Sequence, residues 1–309
     1  MKLLIVDNFH HKNMKGLEMV CRYLKWDYVY RYGNIIDIEK EIPNYDVIYF
    51  PVRPYDASRF PNKRFIFGPH FSVFPDNRLF AINNRFQNAI YIQPSKWATK
   101  TWVDIIVSNI NQAWIDMTIF HIVPIKQFAF PVDTERFSCA DTHLSPFSKT
   151  KVFIYFKSRD PNELKYVEKM LLKLNSENVV EYKVFDYRKR YNEEDYLLWL
   201  KQSKYGIWVG CHESQGFALE EALSCDVPLL VWNVKSMNQE YGSRYADIPA
   251  TSISYWDERC GEYFYKECEF VEKYDEFISK LSTYKPREFV LENLSVKVCG
   301  ERFKELINL

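Results

Sequence analysis

The chain has 309 residues, of which 47% are hydrophobic and 27% are charged, proportions typical of a globular protein with room for two domains. Its 41 basic residues match its 41 acidic residues, so no overall field would recruit nucleic acid, and we expect no nucleic-acid partner. No apolar run approaches the roughly 18 residues of a transmembrane helix, and polar residues follow Val6 too early for a signal sequence. We therefore expect a cytoplasmic protein without a transmembrane segment.

The first half of the chain alternates short apolar runs with helical spacing. Lys2–Val6 reads as a strand and is followed by apolar residues at helical spacing up to Leu24. Further strands are predicted at Tyr28–Arg31, Val47–Pro51, Phe65–Phe67 and Ile90–Gln93. This alternation predicts a Rossmann-like, doubly wound α/β domain over residues 1–138.

Small polar residues accumulate from Ser138 to Thr150, which predicts a linker over residues 139–150. The apolar pattern then resumes with strands at Lys151–Phe156 and Val179–Phe185 and helices at Glu163–Leu174 and Glu193–Ser203. We predict a second Rossmann-like domain over residues 151–309, whose last helix can cross back to the first domain. The two domains would face each other across a ligand-binding cleft.

A strand, a loop, a helix and a strand follow one another from Tyr205 to Trp232. Tyr205–Gly210 and Pro228–Trp232 read as buried strands, and Gly216–Cys225 reads as the helix between them. Ligands of such parallel crossover units bind at the carboxyl edge of the strands, so the loop Cys211–Gln215 lies where a ligand is expected.

The start of this helix predicts an anion site flanked by two carboxylates. Backbone amides near Gly216 would point out of the positive end of the helix dipole, where a diphosphate is favoured. Glu213 precedes the helix and Glu221 lies inside it, so their carboxylates should be roughly 10 Å or more apart at about 1.5 Å rise per residue. This separation disfavours a paired-carboxylate glycoside hydrolase and suits a long ligand held at both ends. We expect Glu220 to be the more ordinary of the neighbouring glutamates.

Glu213 and Glu221 resemble the E-x7-E motif of retaining glycosyltransferases of family four. Two further segments are similar to that family: Phe130–Phe137 (FPVDTERF) resembles its G-V-D-x-x-x-F segment, with Pro131 at the glycine position, and Gln93–Trp97 (QPSKW) resembles its P-S-x-[WF] turn. The closing helix, predicted at Leu294–Leu306, is similar to the family's final helices.

The resemblance implies the GT-B fold, with two Rossmann-like doubly wound domains facing a cleft. It also implies a retaining hexosyltransferase that moves a hexose from a nucleotide sugar to a hydroxyl group of a glycan, protein or lipid acceptor. The nucleotide sugar is the donor substrate, and no cofactor is expected. The chain contains no Asp-x-Asp pair to hold a divalent ion, which favours a metal-independent reaction.

Particular residues acquire roles from the resemblance. Glu213 would orient the hydroxyl groups of the donor sugar, and His70 would face that sugar from the first domain as a second catalytic residue. Glu221 would bind the ribose. The diphosphate would be held by two cations and by the residues at the helix start: Lys157, Arg159, Ser214, Gln215, Gly216 and Phe217.

Alternatives stay open at several positions. The loop Asp7–Gly16 lacks the family's double glycine, so a noncatalytic protein that binds a sugar nucleotide or a glycan is an alternative. A GT-B epimerase is a third alternative, although its usual acid-base cluster is not recognisable in the sequence. The stretch Tyr187–Tyr191 could clamp a nucleotide base or be a solvated helix start. Thr251–Asp257 reads as a strand that ends in an aromatic loop and has a structural role.

The remaining metal-binding and redox candidates are interpreted as structural. The adjacent His10 and His11 have no acidic cluster beside them, so we expect no metal site there. The seven cysteines are an odd number without a Cys-x-x-Cys pair, which favours reduced thiols over a disulfide scaffold or a zinc site. We expect Cys211 and Cys225 to be packing residues.

Overall fold

The computed structural model describes residues 1–53, 55–69, 88–101, 104, 124–139, 149–176 and 180–308. The chain divides into two compact units. Unit 1 comprises Met1–Pro131 and Val296–Leu309, and unit 2 comprises Val132–Ser295. Unit 1 is thus interrupted at Pro131, before residue 138 where we predicted the first domain to end, and its final helix comes from the end of the chain.

The secondary structure of the described residues alternates between strands and helices. The strands are β1 (Lys2–Val6), β2 (Asp27–Arg31), β3 (Val47–Phe50), β4 (Arg64–Phe67), β5 (Ala89–Gln93), β6 (Ile125–Gln127), β7 (Lys151–Lys157), β8 (Tyr182–Asp186), β9 (Ser203–Gly210), β10 (Leu229–Trp232) and β11 (Gly261–Phe264). The α-helices are α1 (His11–Leu24), α2 (Ile35–Glu41), α3 (Pro161–Leu174), α4 (Glu193–Leu200), α5 (Phe217–Ser224), α6 (Phe270–Ser279), α7 (Pro286–Leu294) and α8 (Val296–Asn308). Residues 96–101 are also helical.

The sheet of unit 1 has the strand order β2-β1-β3-β4-β5-β6, and every pairing is parallel. All residues of β3 and β5 are buried, which is typical of parallel strands covered on both faces. Helix α8 packs on α1. The ring of Phe303 on α8 lies 6.0 Å from that of Trp26 and 5.1 Å from that of Phe128, so the end of the chain contributes to the core of unit 1.

The sheet of unit 2 has the order β11-β10-β9-β7-β8 and is also parallel throughout. The buried rings of Tyr155 on β7 and Trp208 on β9 stack with their centroids 3.9 Å apart. Helix α3 begins with favourable end groups, since the Asp160 carboxylate accepts a hydrogen bond from the Asn162 amide and Pro161 occupies the first turn. The chain direction after β7 is thereby fixed.

Both sheets are wound in the same way. In each unit the second strand pairs with one side of the first, and the third strand pairs with its other side. The winding direction therefore reverses between β1 and β3 in unit 1 and between β7 and β9 in unit 2, which is where doubly wound sheets bind ligands. The predicted α/β class with two Rossmann-like, doubly wound domains is confirmed, and these are the domain contents of the GT-B fold.

Several predicted elements differ from the observed ones. The strand predicted within Thr251–Asp257 is wrong, because the backbone there bonds to side chains and loops, as in the Ser252 amide that donates to Asn233 Oδ1. The closing helix predicted at Leu294–Leu306 corresponds to α8, which begins at Val296, and the extended residue Ser295 separates it from α7. Strands β6 and β11 were not predicted, because each is a short edge strand with exposed residues.

Candidate functional site

The candidate site lies at the carboxyl edge of the unit 2 sheet, where the winding reverses. Lys157 ends β7 opposite Gly210, which ends β9, and the Cys211 amide donates to the Lys157 carbonyl at 2.9 Å. Beyond this hydrogen bond the backbone continues from β7 to α3 and from β9 to α5. The side chains that follow both strands are therefore brought to one point of the sheet edge.

An ion pair between Lys157 and Glu213 occupies this point. Lys157 Nζ donates to both carboxylate oxygens of Glu213 at 2.8 Å. The side chains are 20% and 12% exposed. Burial alone would lower the pKa of Lys157, but the negative charge of Glu213, the hydrogen bonds to it and the neighbouring Cys211 and Tyr187 together outweigh burial and raise that pKa. The lysine thus keeps its positive charge in a partly desolvated place.

The backbone of Glu213 is held by the irregular segment after β10. The Glu213 amide donates to the Thr251 carbonyl at 3.0 Å, and the Ser254 hydroxyl donates to the Glu213 carbonyl. Ser252 Oγ donates to the Gly210 carbonyl at 3.1 Å, which ties the same segment to the end of β9. The sequence analysis did not predict this role, because it interpreted the segment as a strand. The three hydroxyl-bearing residues of the segment are typical of loops whose side chains form hydrogen bonds with the backbone.

Gly216 sets the start of α5 directly after Glu213. It has φ +103°, a conformation that favours glycine, and a Cβ there would lie 3.4 Å from the Glu213 Cβ. Ser214 and Phe217 are partly exposed beside it. Gln215 is buried, and its side chain points inward, where Nε2 donates to Glu220 Oε2 at 2.9 Å. The first turn of α5 thus follows the ion pair closely along the chain.

Glu220 and Glu221 are both buried, at 1% and 4% exposure, so neither is a solvated surface charge. Burial raises the pKa of Glu220 to about 8, the charges of Glu221 and Glu213 add to the effect, and the Gln215 hydrogen bond opposes it. Within the described residues Glu220 Oε1 is buried without a hydrogen-bond partner. The expectation that Glu220 is ordinary is therefore wrong, because the α5 face that carries it packs inside unit 2.

Glu221 lies near the half-buried Tyr191 and the buried Tyr196. Burial raises the pKa of Tyr191 and of Tyr196, and the negative charge of Glu221 contributes to both shifts. The Tyr196 hydroxyl donates to the Ala218 carbonyl at 2.9 Å, which fixes α4 against α5. Glu221 is thus a carboxylate inside unit 2 rather than on its outer surface.

Arg159 is placed differently from Lys157. It is 4% exposed, and its guanidinium donates to both carboxylate oxygens of Glu163 at 2.8 and 2.7 Å. The same group donates to the carbonyl oxygens of Gly210 and Trp232 at 3.2 and 3.1 Å. Arg159 therefore joins the ends of β9 and β10 to α3, while Lys157 is the cation that contacts Glu213.

Exposed tyrosines surround the site. Lys157 Nζ lies 4.7 Å from the ring centroid of Tyr187, which follows β8. Arg188 donates to the Tyr241 carbonyl at 2.8 Å, and the ring of Tyr245 meets that of His212 edge-on at 5.6 Å. All three tyrosines are exposed. Aromatic faces of this kind can stack on a base or on a sugar ring.

A polar cavity of about 390 Å³ adjoins Arg159. It contains three carboxylates, from Asp160, Glu163 and Glu240, and only the cation Arg159, which Glu163 already pairs. Loop residues after β10 complete its lining: Asn238, Gln239, Tyr241, Gly242 and Ser243. This surplus of acceptors suits hydroxyl groups rather than phosphate.

Three side chains near the ion pair have the chemistry of metal ligands. The candidate ligand atoms of Cys211, His212 and Glu240 lie within 4.8 Å of one another. Burial, assisted by the positive charge of Lys157, lowers the pKa of His212 to about 4. The same lysine charge opposes a bound cation, so electrostatics disfavour metal at this place.

The predicted catalytic His70 lies outside the described residues.

The chain is similar to several solved structures at low sequence identity. No protein-family model matches the chain, and no curated protein matches it in sequence. A starch synthase IV catalytic domain from Arabidopsis thaliana, solved with ADP and acarbose, aligns at 9% identity with a TM-score of 0.49, over 88% of this chain and 75% of that one.

Two other solved structures align over 99% of the chain at 10% identity. The N-terminal domain of a trehalose-6-phosphate phosphatase from Candida albicans has a TM-score of 0.49 over 98% of its length, and a UDP-N-acetylglucosamine 2-epimerase has 0.45 over 96%. At these values the functional interpretation depends on the residues of the site itself. Among the described helices, none combines the length and hydropathy needed to span a membrane.

Proposed function

We propose that the protein is a retaining glycosyltransferase that transfers a hexose from a nucleotide sugar to a hydroxyl group of a glycan, protein or lipid acceptor. The observation that carries the proposal is the Lys157–Glu213 ion pair at the winding reversal of unit 2. It places a charged lysine and an oriented carboxylate beside a helix start and exposed aromatic rings. A nucleotide sugar offers a complementary group for each of these features.

The donor diphosphate would bind between Lys157 and the first turn of α5. The lysine stays protonated, and helix starts attract anions through their amides and dipole. When the bond between sugar and phosphate breaks, negative charge grows on the leaving diphosphate, and a fixed cation stabilises it. Arg159 would act indirectly, because its hydrogen bonds hold the ends of β9 and β10 in place.

Glu213 would hold the donor sugar, and Glu221 the ribose. Glu213 is held at two places: Lys157 contacts its carboxylate oxygens, and Thr251 and Ser254 form hydrogen bonds with its backbone. Such a group can accept hydrogen bonds from sugar hydroxyls without reorganising. Metal-independent transfer follows from the lysine, whose charge replaces that of a divalent ion. His70 stays a predicted catalytic partner from unit 1.

The test is donor binding followed by transfer. A panel of nucleotide sugars should include at least one that raises the melting temperature, since a ligand of the native state stabilises it. With that donor, Glu213→Gln should reduce the transfer rate by about 100-fold or more, and Glu221→Ala should weaken nucleotide binding by about 1 to 3 kcal/mol. The proposal fails if no nucleotide sugar binds or if Glu213→Gln leaves transfer intact.

Glu181→Gln is the matched control. Glu181 also pairs with a lysine of β7, Lys151 at 3.0 Å, but at the opposite end of the strand. Its substitution removes a carboxylate that pairs with the same strand without touching the candidate site. We expect unchanged donor binding and transfer for this variant.

A noncatalytic sugar-nucleotide or glycan binding protein is the second candidate, because of one observation in unit 1. The winding reversal there is filled by an ion pair in which Arg53 Nε lies 2.6 Å from Asp7 Oδ2, at the loop that lacks the double glycine. A protein of this kind would bind a nucleotide sugar or a glycan and show no transfer or donor hydrolysis. Transfer or donor hydrolysis by the wild-type protein that is lost in Glu213→Gln would favour the enzyme over the binding protein.

A further inference from the structure

Two cysteines meet at the C-terminal end of α5, away from the helix start. Cys225 follows the last residue of that helix, and Cys139 lies in the segment that enters unit 2. The Cys139 thiol donates to the Cys225 carbonyl with Sγ and O 2.7 Å apart, and the two thiols also interact with each other. Although 86 positions apart in sequence, they are neighbours in the fold.

The surroundings of the two thiols differ in a way that favours reaction at Cys139. Cys139 is partly exposed and Cys225 is buried. The ammonium of Lys149 donates to the Cys225 carbonyl at 3.0 Å, so a positive charge lies at the group that Cys139 contacts. The interaction with the Cys225 thiol lowers the pKa of Cys139 to about 6, with Lys149 helping and burial opposing. The pKa of Cys225 is raised.

This combination is that of an attacking thiolate beside a resolving thiol. The thiolate is the form that reacts with peroxide, and redox-sensing cysteines combine a lowered pKa, partial exposure and a nearby second thiol. All seven cysteines lie in the described residues, and the others lack the combination. Burial raises the pKa of Cys21, Cys211 and Cys260 to about 12, Cys299 is fully buried, and Cys268 is exposed.

We propose that Cys139 and Cys225 form a reversible oxidation site that closes to a disulfide in the presence of hydrogen peroxide. Peroxide transfers an oxygen atom to the Cys139 sulfur, which gives sulfenic acid, and the other peroxide oxygen leaves as water. The Cys225 thiol then attacks that sulfur, the sulfur–sulfur bond forms, and the hydroxyl leaves as a second water. Two thiols are oxidised by two electrons, and one peroxide is reduced. A dithiol reductant reverses the change.

The disulfide would tie the C-terminal end of α5 to the start of unit 2. It would close a loop of long sequence separation, which restricts the unfolded chain and raises the melting temperature. Gly216 begins this helix and Glu221 lies within it, so the disulfide would lie at the opposite end of the same helix from the predicted diphosphate site. The proposal does not depend on the activity of that site.

Peptide mapping tests the pairing. The full chain is treated with about one equivalent of hydrogen peroxide, alkylated, digested without reduction and examined by mass spectrometry. We expect a linked peptide that joins Cys139 to Cys225, two hydrogen atoms lighter than the separate peptides and lost on treatment with dithiothreitol. Cys268 is the control for nonselective oxidation and should be recovered alkylated. Linkage between other cysteines, or unreacted Cys139 beside oxidised Cys268, would overturn the proposal.

The rate of alkylation tests the thiolate. We expect Cys139 at pH 6 to react roughly tenfold faster than a cysteine in a short reference peptide, and its rate to level off above about pH 7. Lys149→Met should move the midpoint of this profile to higher pH. A wild-type profile that still rises through pH 8 would contradict the reactive role of Cys139.

Two variants separate the attacking from the resolving thiol. Cys225→Ser should leave Cys139 as a sulfenic acid that dimedone captures, and Cys139→Ser should abolish the linked peptide without labelling of Cys225. Cys139 is partly exposed, so Cys139→Ser and the wild-type alkylation profile decide the question even if Cys225→Ser does not fold. Dimedone labelling of Cys225 in Cys139→Ser would reverse the assigned roles and overturn the proposal.

Discussion

Lys157 and Glu213 compensate each other's charge in a partly desolvated place. An exposed ion pair adds little to stability, whereas loss of one partner of a buried pair leaves a charge without compensation. The two side chains are 20% and 12% exposed, so this ion pair is closer to a buried pair than to an exposed one. Its strength is therefore a property of the folded protein that can be measured without any ligand.

A double-mutant cycle measures this coupling. We expect Lys157→Met and Glu213→Gln each to lower the free energy of unfolding by about 1 to 3 kcal/mol, and the double variant to lose less than their sum, by about 1 kcal/mol or more. Denaturant unfolding of the four proteins gives the coupling energy. The Lys151–Glu181 pair, whose carboxylate side chain is 61% exposed, should give less than about 0.5 kcal/mol. Equal coupling in the two pairs would contradict this view of the site.

Glu220 predicts a pH dependence of stability. Its pKa is about 8 in the folded protein against 4.5 as the ordinary value, so between these pH values the folded state binds a proton that the unfolded chain has lost. The free energy of unfolding should therefore fall as pH rises from about 4.5 to 8, by at most about 1.4 kcal/mol per pH unit from this group. Below and above this window the contribution is constant.

Glu220→Gln isolates the contribution, because glutamine keeps the shape and does not titrate. The stability difference between wild type and variant, measured by denaturant unfolding across this pH range, should change by the slope given above. Stability curves that stay parallel from pH 4.5 to 8 would show that the carboxyl group is already ionised in the folded protein.

At the scale of elements, α5 is a short helix with two specialised ends. Its start depends on the left-handed backbone of Gly216, and its end is anchored by Arg287, whose Nη1 donates to the Ser224 carbonyl at 2.6 Å. The same nitrogen donates to the Phe137 carbonyl at 3.1 Å. Cations are favoured at the C-terminal end of a helix, so Arg287 and Lys149 stabilise the end opposite to the predicted diphosphate.

The glycine at the start of α5 can be tested against a second glycine. Gly216 and Gly33 have φ +103° and +113°, so alanine at either position should cost about 1 to 2 kcal/mol of stability. A Cβ at Gly216 would contact Glu213, whereas nothing lies within 4 Å of a Cβ at Gly33. We expect only Gly216→Ala to weaken the thermal shift produced by the donor. Equal loss of donor binding in both variants would remove Gly216 from the site.

At the scale of the whole molecule, the two units have sheets that are wound in the same way, and α8 completes unit 1. Phe303 is fully buried against Trp26 and Phe128. Removing so large a buried ring leaves a cavity, so Phe303→Ala should cost about 3 to 5 kcal/mol. Hydrogen exchange should show the loss of protection in β1, β2 and α1, with β7 and β9 unaffected. Deprotection confined to unit 2 would contradict the assignment of α8 to unit 1.

The sequence predicts the doubly wound sheets of the two units better than it predicts the placement of the residues in the candidate site. Buried parallel strands such as Ile207–Val209 are continuous apolar runs, which a single sequence displays. The placement of Glu213 depends instead on Thr251 and Ser254, which are distant in sequence and lie in an irregular segment. The burial of Glu220 was equally hidden, because its helix is short and packed on both sides, and periodicity then does not distinguish an inner from an outer face.

The return of the chain to unit 1 has a consequence for biosynthesis. Residues Met1–Pro131 leave the ribosome first, but the helix that packs on α1 follows only after all of unit 2 has been made. Until then the part of α1 that carries Tyr23, whose ring lies beside Gly300 and whose hydroxyl donates to Glu301 of α8, lacks its partner, and an incompletely covered domain invites chaperones or aggregation. Unit 2 is one uninterrupted stretch of chain, so we expect it to complete its own fold during translation before α8 completes unit 1.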